Sequence, residues 1–142
     1  MWSALFDTSI YVAALRSGSE GVLTVRRLDS GSVVWLSSVV LEELYAGASG
    51  DARRVVERLE RDFNAAKRIL VPNLGDWTDA GRVLSRLAVK YDFEQIGQGR
   101  MTNDALIATS AGRLGASVIT TNARDFQRLA EFHPFQWLVM TV

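Results

Sequence analysis

Trp2-Ser3-Ala4-Leu5-Phe6-Asp7-Thr8-Ser9 is the stretch whose reading decides the fold. An apolar run of this length is too short for a helix and suits a buried strand. It stops on an acid, and Thr8 or Ser9 can then cap a helix over 10–16. A strand that enters a helix with no linker is the first half of a β-α-β unit. The pattern returns further along. Val33-Val34-Trp35-Leu36-Ser37 is β-branched and aromatic, hence a second strand. A helix follows it from Ser37 or Ser38 to about Ala48.

The rest of the chain fits between and after these units. A helix is expected over 20–28. Asp51 is placed to cap a long helix over 52–68, where Val55, Val56, Leu59, Phe63 and Ala66 fall at helical spacing. A brief strand over 69–71 is closed by Pro72. The next helix, over 76–92, turns Trp77, Ala80, Val83, Leu84, Leu87 and Tyr91 inward. Residues 94–100 hold two glycines and read as a loop. Thr102 or Asn103 caps a helix over 104–114, which Gly115 ends. A strand over 117–120, a short helix over 123–130 and an apolar strand over 135–140 complete the chain. Short strands alternating with helices give the α/β class with a mostly parallel sheet. No repeat or linker divides residues 1–142, so one domain is expected.

Composition narrows the chemistry. The hydrophobic fraction is 48%, and the 16 basic and 16 acidic residues cancel. Bulk positive charge for wrapping nucleic acid is therefore absent. No apolar run approaches the roughly 20 residues that span a bilayer, and the first residues lack the basic region of a signal peptide. A cytoplasmic protein without membrane contact is the expectation. Cysteine is absent and His133 is the single histidine, which removes disulfides, thiolate zinc sites and His-rich centres. His133 lies in Glu131-Phe132-His133-Pro134-Phe135 and reads as a structural or surface residue.

Four acidic phrases remain: Phe6-Asp7-Thr8-Ser9, Leu41-Glu42-Glu43-Leu44, Asn103-Asp104-Ala105-Leu106-Ile107-Ala108, and Thr120-Thr121-Asn122-Ala123-Arg124-Asp125-Phe126. Taken singly each has an ordinary reading. Asp7 and Asp104 suit helix caps, Glu42 and Glu43 a solvated face, and Asp125 an ion pair with Arg124. Helical spacing favours Glu43 over Glu42, since Glu43 borders Val39 and Val40. Taken together they mean more, because ligands in parallel sheets bind beyond the carboxyl ends of strands. Carboxylates gathered there raise one another's pKa unless a cation compensates them. Hard Mg²⁺ or Mn²⁺ fills that role with oxygen ligands. Such an ion also lowers the pKa of bound water, which explains hydrolysis without histidine or cysteine.

The four phrases, with Ser37-Ser38-Val39-Val40 before Leu41 and Tyr45-Ala46-Gly47 after Leu44, resemble the PIN domain. More narrowly, they resemble the VapC toxin ribonucleases of toxin–antitoxin pairs. The resemblance runs from about Trp2 to Met140, in the family's order and spacing. It implies a three-layer α/β/α sandwich with a mostly parallel sheet of four to five strands. It also implies an Mg²⁺- or Mn²⁺-dependent endoribonuclease that leaves a 5′-phosphate and a 3′-hydroxyl on RNA. A cognate antitoxin, and a homodimer or a heterotetramer or octamer with that antitoxin, come with it. Asp7, Glu43 and Asp104 match the first three family acids, and Thr8 and Ser9 the polar pair after the first. The fourth position departs. Many relatives carry an acid two residues after the strand-ending Thr, where this chain has Asn122. Asp125 is the nearest replacement, and Asn122 is the alternative, through its amide oxygen or a held water.

Two further readings stay open beside the nuclease. A PIN-like binding module that has lost catalysis is compatible with Asn122. A phosphotransferase with Asp7 as nucleophile lacks the second acid usual two residues on, where Ser9 stands. Arg100 is a candidate phosphate contact beside the site. Arg54, Arg58, Arg61 and Arg68 form a stripe that Glu57 and Glu60 interrupt, so a solvated helix face is expected. The four tryptophans read as core or interface.

Overall fold

A computed structural model describes residues 2–18, 32–92 and 100–140. The strands are β1 (Trp2–Phe6), β2 (Ser32–Ser37), β3 (Ile69–Leu70), β4 (Ala116–Thr120) and β5 (Gln136–Val139). They form one sheet in the order β3-β2-β1-β4-β5, and every pairing is parallel. The described helices are α1 (Thr8–Ser17), α2 (Ser38–Gly47), α3 (Asp51–Ala65), α4 (Leu74–Tyr91), α5 (Arg100–Leu114) and α6 (Ala123–Ala130).

The strand order carries the functional geometry. From β1 the chain winds outward to β2 and β3, then returns across the sheet to β4 on the other side of β1. Right-handed crossovers place the helices of these two legs on opposite faces. Most helix contacts follow that division: α1 packs on α2 and α2 on α3, while α4, α5 and α6 pack on one another, and α2 also touches α5 across it. The result is an α/β/α sandwich. The direction of winding reverses between β1 and β4, and a parallel sheet opens a crevice at such a point.

Both faces being covered, the central strands are buried almost throughout. All of β4 is buried, and β1 is buried from Ala4 to Phe6. On α5, Met101 and every residue from Ala105 to Ala111 are buried, and Ser110 satisfies its hydroxyl on Leu106 O. Gly115 joins α5 to β4 in a single residue at φ 79°, a conformation that costs glycine little. Tyr11 of α1 is buried edge-on against Phe6. Among the described residues its hydroxyl has no partner, and burial pushes its pKa up.

Several boundaries move from expectation. The α1 helix begins at Thr8, so Asp7 is the cap in place of Thr8 or Ser9. Gly50 precedes α3 with no side-chain cap, and Asp51 lies inside the first turn. The α4 helix starts at Leu74, where Asn73 and Asp76 form a reciprocal capping box. Asp76 takes the first buried position of that helix, leaving Trp77 54% exposed and not in the core. Trp2 is also largely exposed, whereas Trp35 and Trp137 pack partly buried against the core. The α5 helix opens at Arg100, four residues earlier than expected, so Thr102 and Asn103 are helical residues and not caps. Arg100 therefore belongs to a helix, not to a loop. The helix expected over 20–28 and the loop over 94–99 lie outside the described residues.

Candidate active site

The site begins with strand register. Phe6 pairs with Ile119, and the Asp7 N–H continues the ladder by donating to Ile119 O at 2.9 Å. Asp7 and Thr120 therefore face each other at the carboxyl ends of β1 and β4, where the winding reverses. Asp7 is 5% exposed and Thr120 fully buried.

The Asp7 carboxylate is held on several sides. The Thr120 hydroxyl donates to Oδ2. The Ser9 hydroxyl donates to the same oxygen at 2.9 Å, and the Ser9 N–H donates to Oδ1 at 3.2 Å. Both hydroxyls are themselves oriented from behind. The Thr121 N–H donates to Ser9 Oγ at 3.1 Å, and the Asn122 N–H to Thr120 Oγ1 at 2.9 Å. The turn after β4 thus fixes the rotamer of an acid at the end of β1. Every one of these donors is neutral. Among the described residues the compensation comes from the positive end of α1, which Asp7 caps. A buried carboxylate without a paired cation is costly, and a bound cation removes that cost.

Glu43 is tied to the same corner by Thr8, whose hydroxyl donates to Glu43 Oε1 at 2.7 Å. Of the two glutamates, Glu43 is half-buried and Glu42 exposed, as the spacing indicated. Thr8 and Ser9 each bond one of the two carboxylates.

Asn122 and Asp125, rivals for the fourth position, bind each other. The Asn122 side-chain amide donates to Asp125 Oδ2 at 2.8 Å, and the Asp125 N–H returns to Asn122 Oδ1 at 3.4 Å. Asn122 caps α6, and through its backbone N–H it joins the Asp7 network.

Asp104 is half-buried in the first turns of α5. That helix packs on β4 and returns to its start through Gly115, so it runs antiparallel to the strand. Asp104 precedes Leu114 by about 15 Å of helix, close to the roughly 17 Å length of the five-residue β4. The acid is thereby carried back toward the carboxyl end of the sheet. The α5 helix also touches α2, the carrier of Glu43.

Among the described residues, however, no three acids or histidines stand close enough to share one ion. Asp7 with Ser9 and Thr120, Glu43 with Thr8, and Asp125 with Asn122 are separate anchored carboxylates around one corner. Their donor set is all oxygen, and among the described residues Asp7 has no basic partner. That chemistry fits a hard divalent cation whose remaining positions are filled by water.

Thr120 stands in the fourth acidic phrase, and nothing local in the sequence marks it as a site residue. Its only sequence signal was its place at the end of a strand, and the partner it serves lies 113 residues away. His133 lies in the turn after α6, its N–H bonded to Leu129 O.

Comparison with known proteins extends these observations. A model of the PIN domain matches residues 4–132. The ribonuclease VapC19 of Mycobacterium tuberculosis is 31% identical over 131 residues, covering 92% of this chain and 97% of the relative. Among solved structures, DNA-bound VapBC from Salmonella typhimurium superposes with a TM-score of 0.68 at 23% identity, covering 98% of each chain. VapBC-5 of Mycobacterium tuberculosis, a member of a family of toxin–antitoxin systems, gives 0.52 at 24% identity over the full length of both chains. The fold, the buried acid at its switch point and these likenesses converge on one statement: the chain belongs to the PIN domain family.

Proposed function

We propose that this chain is a metal-dependent endoribonuclease and the toxin half of a toxin–antitoxin pair. The observation that carries the reading is the Asp7 carboxylate, buried at the switch point and held, among the described residues, only by neutral donors. The likeness to ribonuclease VapC19 supports RNA as substrate, and the likeness to VapBC structures supports a cognate antitoxin as partner. No described helix is long and apolar enough to cross a membrane. A cytoplasmic homodimer that assembles further with its antitoxin completes the proposal.

Asp7, Glu43, Asp104 and Asp125 would hold Mg²⁺ or Mn²⁺, directly or through water. When bound, such an ion supplies an acidified water and neutralises charge on the phosphate. The chain's own residues do the positioning. Ser9 and Thr120 lock the Asp7 carboxylate in one rotamer. Thr8 occupies Oε1 of Glu43 and leaves Oε2 available as a ligand or proton acceptor. Asn122 holds Asp125 against the start of α6 and braces Thr120.

The test compares the parent with Asp104→Ala on single-stranded RNA, with and without Mn²⁺ and after EDTA. Cleavage that needs the metal and disappears in the variant is expected. Cleavage that survives EDTA or the substitution overturns the assignment. A binding module without catalysis is the second reading, favoured by the separation of the carboxylates. It predicts RNA binding indifferent to EDTA and no product at any metal concentration.

A further inference from the structure

Two clefts flank the Asp7 corner. One is lined by Val12, Arg16, Glu43, Leu44 and Ala52 among others, the second by Ser9, Val12, Arg16, Thr121 and Met140 among others. Each thus contains a residue of the carboxylate network. Val12 and Arg16 line both, so α1 forms the ridge between them and Arg16 is its cation. The side chain is exposed, and it has no ion pair or hydrogen bond among the described residues although Glu43 lines the same cleft. In the second cleft Arg16 is the one charged lining residue among those described. From Asp7 to Arg16 is about 13 Å along the helix, a distance that a flexible nucleic-acid strand spans within a few nucleotides.

We infer that Arg16 is a substrate-binding residue: its guanidinium takes a backbone phosphate of single-stranded RNA a few nucleotides from the bond presented to Asp7. The inference rests on the ribonuclease reading. Carboxylates repel a polyanion, so the strand needs a fixed cation beside them, and arginine's planar fork suits a phosphate. The ordinary role for a basic residue in the last turn of α1 is to complement the helix dipole. That role would act on stability and leave substrate affinity alone.

The experiment measures steady-state cleavage of a single-stranded RNA by the parent, Arg16→Ala, Arg16→Lys and Arg86→Ala. Arg86 is an exposed arginine of α4 and serves as the charge-matched control. Binding is measured in parallel against salt, in the Asp7→Asn background with Mn²⁺ present. Arg16→Ala should raise KM roughly tenfold with kcat unchanged. Its slope of log affinity on log salt should be shallower by about 0.7, the loss of one phosphate contact on a single strand. Arg16→Lys should fall between, and Arg86→Ala should match the parent. An unchanged KM and slope in Arg16→Ala, with the parent active, overturns this inference alone. An equal effect in Arg86→Ala assigns the loss to bulk charge and also overturns it. A parent that neither binds nor cleaves RNA overturns the ribonuclease reading, and this inference with it.

Discussion

Asp7 and Asp76 are both buried aspartates at helix starts, 5% and 3% exposed, and the structure treats them in opposite ways. Asp76 is fully answered. Arg113 Nε reaches both its oxygens at 3.0 and 3.1 Å, and the Asn73 N–H adds a third bond. Arg113 also reaches Val71 O, so the pair clips the start of α4 to α5. Asp7 receives a similar number of bonds, and among the described residues all come from neutral groups, with the positive end of α1 as its electrostatic support. Burial and hydrogen bonding therefore do not distinguish the two acids. The charge of the nearest described partner does.

Paired substitutions break that comparison most sharply. Asp7→Asn keeps a good helix cap and removes an unpaired charge. Metal-dependent cleavage should fall on the order of 10³-fold, while stability in EDTA holds or rises. Asp76→Ala should do the reverse. Breaking the pair and the capping box should cost about 3 kcal/mol, toward the low end for a buried pair because Arg113 is 41% exposed. Cleavage per folded molecule should stay at the parent level. Rate assays and urea melts on the two proteins read both effects. Equal loss of activity in both would end the distinction.

The metal sharpens the same contrast without an activity readout. At about 100 times its Kd, Mn²⁺ should stabilise the parent and Asp76→Ala by about 2.7 kcal/mol and leave Asp7→Asn unmoved. Thermal melts with and without the ion decide this. Next in size is Thr120→Val, which keeps the shape but frees Asp7 and strips the Asn122 N–H of its acceptor. A loss of 1–2 kcal/mol is expected, by order of magnitude, with cleavage reduced roughly tenfold. An unaltered rate would show that the rotamer of Asp7 does not need the strand next door.

The smallest effect concerns a surface contrast to both buried acids. Glu131 accepts from Lys90 at 2.6 Å and Tyr91 at 2.5 Å, and these bonds lower its pKa and raise that of Lys90. A lowered carboxylate contributes stability above its unfolded pKa and loses it as pH falls through the folded value. A raised lysine contributes below its unfolded pKa and loses its share as pH climbs past the folded one. The clip is therefore complete between the ordinary values of 4.5 and 10.5. Glu131→Gln should flatten the acid limb of the stability curve below about pH 4.5. An acid limb as steep as the parent's would place that slope elsewhere.

What the sequence disclosed follows physical range. Asp7 was legible because an apolar run stops on it, a local event. Glu43 was separable from Glu42 because helical spacing is local too. Thr120 was not, since its role depends on register between strands more than a hundred residues apart, and no short pattern encodes that. The start of α5 was misplaced because Gly97 and Gly99 drew the boundary forward, while buried Met101 extends the helix back. Trp77 was expected inside as a large aromatic. The Asp76–Arg113 pair claims the first inward position, and Trp77 falls a residue off that stripe.

The 113-residue separation between Asp7 and Thr120 also has a meaning in time. At ordinary synthesis speeds the ribosome needs on the order of ten seconds to travel from one to the other. Throughout that interval the emerging chain carries its acid with no strand to hold it. On the ribonuclease reading, the carboxylate corner is therefore assembled only when nearly all of the message has been translated.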